Sequence, residues 1–187
     1  MDKLFARFAL LGALAASLAA CQSMDAARLK YMHEGAGAKR NALIYCAGTE
    51  DCEFERLDKI RILGAESQQL EKSALHAGIL RLQAKSLREP NAVYLSVPAG
   101  QHEVVIRFYP ISRDKAERLH VIHQFNAHQR YTFKMYRNRS KQQGSLLNVS
   151  APDPLCVDLM QEQKTIRRFC KPYNVLNGLG EFAEKKL

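Results

Sequence analysis

The five cysteines of this 187-residue chain sort into two kinds of chemistry. Cys21 follows Leu18-Ala19-Ala20 at the end of an apolar run. A thiol there can take a lipid, and the small residues before it leave the preceding peptide bond open to a peptidase. Cys46, Cys52, Cys156 and Cys170 lie far downstream, at Cys-x5-Cys and Cys-x13-Cys spacing. Structural zinc sites favour closer pairs, whereas an even number of thiols in an oxidising compartment forms disulfides. Two bridges are therefore expected, and the count alone leaves three connectivities open. The histidine cluster is His120-x2-His123-x4-His128. On a helix His120 and His123 would share a face, but Leu119 to Phe125 alternates as a strand, which sends residues three apart to opposite faces. No metal is expected there, because no carboxylate or cysteine has ligand spacing with the cluster. No GxSxG, HExxH or phosphate-cradling glycine loop occurs. No catalytic residue is assigned and no cofactor is expected.

The segment before Cys21 has the layout of an export signal. Lys3 and Arg7 make a basic start blunted by Asp2, and Phe8 to Ala16 is apolar. The run is too short for a comfortable bilayer span of about 20 apolar residues with flanks. With Leu18 at −3, Ala19 and Ala20 at −2 and −1, and then the cysteine, the chain resembles bacterial lipoprotein precursors. The resemblance implies that residues 1–20 are a signal peptide and that Cys21 is the acylated first residue of the mature chain. Gln22 stands where an aspartate would favour inner-membrane retention, so by the same resemblance the anchor belongs to the outer membrane, facing the periplasm. No nucleic acid is expected as a partner in that compartment, although the formal charge is +9 and stays near about +8 without Lys3, Arg7 and Asp2. The polyanions within reach are phospholipid head groups, lipopolysaccharide phosphates and teichoic acids. Two basic runs could meet them: Arg137-Asn138-Arg139-Ser140-Lys141, and Arg167-Arg168 with Lys171. Arg137, Arg139 and Lys141 are the candidate anionic-surface residues, each worth about 1 kcal/mol near a charged leaflet.

The elements that must position these groups are mostly strands. Residues 21–40 form a tether, with room for a short helix over Met24–His33, that breaks at Gly35-Ala36-Gly37, and the domain spans residues 41–173. Ala42 to Cys46 and Cys52 to Ile62 are strands, and the turn over Ala47–Asp51 sets Cys46 and Cys52 opposite each other in a hairpin. Glu66 to Ala77 is the helix candidate, while Ile79 to Leu87 fits either helix or strand. Val93 to Val97 and His102 to Phe108 alternate around Pro98-Ala99-Gly100, which predicts a type I turn, a bulge at Gly100 and a hairpin. Leu119 to Phe125 and Tyr131 to Met135 predict a second one. Leu146 to Val149, Leu155 to Met160 and Thr165 to Cys170 are the last strands. A three-residue loop Glu162-Gln163-Lys164 sets Met160 opposite Ile166, Leu159 opposite Arg167, Asp158 opposite Arg168, Val157 opposite Phe169 and Cys156 opposite Cys170. Most of these pairings match apolar with apolar and acid with base. The bridges are thus expected to be Cys46–Cys52 and Cys156–Cys170, and residues 174–187 a loosely held tail.

Val97-Pro98-Ala99-Gly100-Gln101-His102-Glu103-Val104, with Phe125 through Tyr131-Thr132-Phe133, resembles PEGA-type and related small β-sandwich modules of envelope lipoproteins. The likeness covers residues 91–137, and such modules carry no catalytic residues. The expected protein is a mainly β, antiparallel sandwich built from hairpins with one helix and two disulfides. Its expected role is a non-enzymatic, lipid-anchored module that binds an envelope protein or anionic envelope lipid. The alternative is an enzyme acting on envelope material such as cell-wall glycan, since a triad is defined by geometry rather than by sequence order.

Overall fold

Alternation along the strands decides the layers. Ala42, Ile44 and Cys46 are buried while Leu43, Tyr45 and Ala47 are not, and Leu119, Val121 and Phe125 are buried between exposed neighbours. A strand with one apolar row must lay that row on another sheet. The computed structural model describes residue 29 and residues 40–64, 69–87, 89–139, 153–171 and 180–187. In chain order these form β1 (Ala42–Ala47), β2 (Cys52–Leu57), β3 (Ile60–Arg61), α1 (Lys72–His76), β4 (Leu80–Leu82), β5 (Val93–Val97) and β6 (Gly100–Phe108). There follow β7 (Glu117–Phe125), β8 (Arg130–Arg137), β9 (Leu155–Gln161), β10 (Lys164–Lys171) and β11 (Ala183–Lys185). Among the described residues, one sheet has the order β11-β10-β9-β8-β1-β5-β4 and the other β3-β2-β6-β7.

Among the described residues the protein is mainly β, with the short helix α1 and two sheets, as expected, but its strands connect differently. Val97 pairs with Ala42 in the larger sheet, whereas Gly100 pairs with Phe125 in the smaller one. Pro98-Ala99 is therefore a corner from one sheet to the other, not a hairpin turn. Gly100, at φ 156, takes the conformation that turns the chain. The second expected hairpin is likewise a corner, leading from β7 in the smaller sheet to β8 in the larger. Backbone satisfaction gives the reason. The nine residues of β6 pair throughout with the nine of β7, a ladder that five-residue β5 could not complete. The larger sheet is also not wholly antiparallel, because β1 runs parallel to β8 with Ile44 opposite Tyr131 and Cys46 opposite Phe133.

Several local expectations change too. The strand expected to run on to Ile62 breaks at Asp58, φ 50, and returns as β3. Of the expected helix Glu66–Ala77, residues 66–68 lie outside the described residues and Lys72–His76 is helical; Leu70 is instead drawn into a bridge with Leu63, and Glu71 N–H donates to Ile62 O at 2.8 Å. Within the ambiguous stretch, Leu80–Leu82 is strand. Part of the tail is held, as Ala183–Lys185 pairs with Arg168–Cys170. Leu29, in the segment read as a tether, is 2% exposed and belongs to the core. The strand expected at Leu146–Val149 lies outside the described residues.

The core between the sheets is aromatic at its centre. Phe54, Phe108, Phe125, Tyr131 and Phe133 are fully buried, each contributing about 1.5–3 kcal/mol by leaving water. Phe125 meets Tyr131 edge to face at 4.9 Å, and the Tyr131 hydroxyl accepts the Asn126 N–H at 3.0 Å, fixing the corner after β7.

Candidate functional site

Both bridges form as expected: Cys46–Cys52 and Cys156–Cys170. Cys46 lies in the larger sheet and Cys52 in the smaller, so the first bridge ties the layers together rather than closing a hairpin. The second crosslinks β9 and β10. Leu159, Asp158, Val157 and Cys156 face Arg167, Arg168, Phe169 and Cys170 as expected. Met160 instead faces Thr165, because the turn holds only Glu162 and Gln163 and a bulge at Ile166 absorbs the extra residue.

The histidines separate. His120 is exposed and pairs with Glu103; His123 sits against Phe125 and Tyr131; His128, φ 61, lies in the corner before β8. Burial, with Arg167 nearby, makes the His123 imidazole harder to protonate than usual. Among the described residues no group of three His, Cys, Asp or Glu side chains is placed to hold a metal ion.

The two basic runs have different surroundings. On β10 every cation of the run has an acid: Arg167 pairs with Glu184 at 2.7 Å, Arg168 with Asp158 at 2.7 Å and Lys171 with Glu117 at 2.6 Å. Arg167 also donates to Ile122 O at 2.7 Å, covering a carbonyl at the edge of β7. By contrast, Arg137 and Arg139 are exposed at the end of β8, with only a 3.5 Å contact from Arg137 Nη1 to Asp153 O described. Lys141 lies outside the described residues, as does Cys21. Arg137 lines a shallow depression of about 270 Å³ with Tyr136, Glu50 and Gly48.

The outward faces of the two sheets differ in how their charges are met. On the smaller sheet, Glu55 accepts from Arg107 at 2.6 Å and Arg118 at 2.8 Å, and Glu103 accepts from Arg56 at 2.8 and 2.9 Å as well as pairing with His120. Tyr109 donates to Glu53 at 2.6 Å. The hydrogen bonds from Arg56 and then His120 hold the Glu103 carboxyl down at about 2. This grid is largely neutralised; Arg61 of β3, opposite Arg56, is exposed and forms no ion pair among the described residues.

On the larger sheet the register sets outward rows. One runs through Arg81, Tyr94, Tyr45, Thr132, Met160 and Thr165; the next runs through Lys134, Asp158, Arg168 and Lys185. Arg168 is spent on Asp158, and Arg81 Nη1 bonds the carbonyls of Gly78 and Leu80. Arg130, Lys134 and Lys185 are exposed, and none of them forms an ion pair among the described residues. Tyr45 stacks on Tyr94 at 4.7 Å and 14°, and the Arg130 guanidinium lies 4.1 Å from the Tyr45 ring centroid. Arg130, Lys134, Tyr45 and Tyr94 were missed as functional residues from sequence. The signal was present in β8, where Tyr131, Phe133 and Met135 mark the inward face and so assign Arg130, Thr132, Lys134 and Tyr136 to the outward one. Compared with known proteins, the chain matches no protein family, no curated protein and no solved structure.

Proposed function

We propose that the protein is a lipid-anchored, non-enzymatic binding module of the bacterial envelope, held at the outer membrane on its periplasmic side and engaging anionic envelope material. The anchor rests on Leu18-Ala19-Ala20-Cys21 and the basic and apolar segments before it. The observation that supports anion binding is the contrast between the outward faces: a grid on one sheet that leaves only Arg61 without an acid among the described residues, and exposed Arg130, Lys134 and Lys185 on the other. Arg137, the last residue of β8 and on the alternate row from Lys134, and Arg139 just after the strand are exposed as well, and Lys141 follows them in sequence. Such charges act over about a Debye length, so binding must weaken with salt.

The test has two parts. Cells given a clickable palmitate analogue should label the parent chain and not Cys21→Ser; a labelled variant sinks the anchor. Chain from residue 21 onward carrying Cys21→Ser should sediment with anionic liposomes or lipopolysaccharide at low ionic strength and release near physiological salt. Changing Arg137, Arg139 and Lys141 together to Ala should weaken sedimentation while changing stability by no more than about 0.5 kcal/mol. Undiminished sedimentation removes that run from the binding surface.

A further inference from the structure

Tyr45 has neighbours on both faces of its ring. β1 lies between β5 and β8, so Tyr94 covers one side of the ring and the Arg130 guanidinium the other. A sugar recognised by stacking needs an open aromatic face, and this tyrosine does not offer one. What the surface presents is cationic: the exposed Arg130, Lys134 and Lys185 beside the half-buried rings of Tyr45 and Tyr94. That chemistry suits phosphate head groups in a plane, where tyrosine lies at the polar boundary and cations meet anionic lipid. On the smaller sheet most charges are already paired, and exposed Arg61 of β3, opposite Arg56, stands as a single cation rather than a group of three. Two acids adjoin the cationic face of the larger sheet: Asp158, opposite Lys134, is spent on Arg168, and Glu162 Oε1 accepts the Arg130 backbone N–H at 2.7 Å.

The position of Leu29 adds a geometric argument. Because Leu29 is in the core, the chain linking an acylated Cys21 to the domain is only residues 22–28. Eight residue steps reach at most about 28 Å when fully extended. The domain is then confined close to the bilayer, and a weak surface contact operates at high effective concentration. We propose that the outward face of the larger sheet, centred on Tyr45, Tyr94, Arg130 and Lys134, docks on the anionic phospholipid bilayer that carries the anchor. The choice of bilayer rests on the proposed lipid anchor; the docking face does not.

The chain from residue 21 onward with Cys21→Ser is mixed at low ionic strength with phosphatidylglycerol–phosphatidylcholine vesicles and, separately, with phosphatidylcholine vesicles. Binding should require phosphatidylglycerol. Arg130→Glu with Lys134→Glu should reduce the bound fraction at least fivefold, while Lys59→Glu with Lys115→Glu, an equal charge change at exposed residues in the β2–β3 and β6–β7 connections of the smaller sheet, should reduce it less than twofold. Orientation is read separately. The chain has no tryptophan, so Tyr94→Trp and Ile122→Trp each place a single indole on one outward face. Brominated phosphatidylglycerol should quench the indole at position 94 and not at position 122. Equal losses from the two charge reversals, stronger quenching at position 122, or sedimentation with lipopolysaccharide but not phosphatidylglycerol would each overturn the proposal. Palmitate labelling of the full chain reports the anchor independently. An unlabelled chain that still docks through position 94 overturns the anchor and leaves the docking face standing.

Discussion

Gly48 does what no other residue type can do at its place. It follows β1 at φ +94, and a Cβ there would lie 2.0 Å from the carbonyl oxygen of Met135. That oxygen belongs to the backbone of β8 and cannot move aside. Gly100 has a different constraint: φ is +156, but the nearest atom to an added Cβ is His102 Nε2 at 3.7 Å, which is ordinary contact. Gly48→Ala should therefore destabilise by at least about 2 kcal/mol, from conformation and collision together, and Gly100→Ala by about 1–2 kcal/mol from conformation alone. Urea unfolding of both variants checks the ranking. If Gly100→Ala is the more damaging, the close approach at Gly48 has been overvalued. The sequence marks both glycines as turn residues, but the collision that makes Gly48 irreplaceable involves a residue 87 positions away.

At the scale of elements, the strands were legible and their partners were not. Alternation assigns Leu95 and Val97 to one buried row and Val104, Ile106 and Phe108 to another, and Pro98-Ala99-Gly100 calls for a turn between them. A hairpin lays two such rows side by side; a corner lays them face to face. Either arrangement buries the same residues, so local periodicity cannot choose between them. Only the hydrogen-bond partner decides, and β7 is a better match for β6 than β5 is. The cysteine pairing survived the change because residues facing across a corner can approach as closely as residues facing across a ladder. In β9 and β10 the expected partners are sequential neighbours, and there the register was legible down to Cys156 opposite Cys170. The two bridges close loops with sequence separations of 6 and 14. On chain entropy, replacing both cysteines by Ala should cost about 2 kcal/mol at Cys46–Cys52 and about 3 kcal/mol at Cys156–Cys170. Denaturant midpoints of the two double variants test the order. A larger loss at Cys46–Cys52 would show that its tie between the layers outweighs loop length.

The whole molecule is basic, and its described carboxylates are placed largely to pair with that excess, so stability should depend on pH with a defined shape. Burial tends to raise the carboxyls of Glu55 and Asp158, yet Arg107 with Arg118 in the first case, and Arg168 in the second, overcome it and hold both below the usual range. The Arg167 hydrogen bond does the same for Glu184. A carboxyl lowered in the folded state contributes stability above its unfolded value of about 4, and that contribution is lost as pH falls through the folded value. Glu103, held at about 2, extends the loss to that pH. A milder limb starts higher. The His123 imidazole is disfavoured as a cation by burial first and by Arg167 second, with Glu184 opposing. The unfolded chain therefore takes that proton more readily, and stability declines as pH drops below about 6.5. On the alkaline side, burial and the bond to Glu53 push Tyr109 up to about 12, so stability should fall as pH rises above the unfolded tyrosine value of about 10. Melting temperature should thus be nearly flat from about pH 7 to 9, slope gently downward toward pH 5 and drop steeply below pH 4. His123→Phe keeps an aromatic ring against Phe125 and Tyr131 and removes the titrating group. It should flatten the gentle slope while leaving the steep acid limb in place. A variant as steep as the parent between pH 7 and 5 would assign that slope to other groups, and loss of both limbs would mean that the substitution had disturbed the paired carboxylates as well.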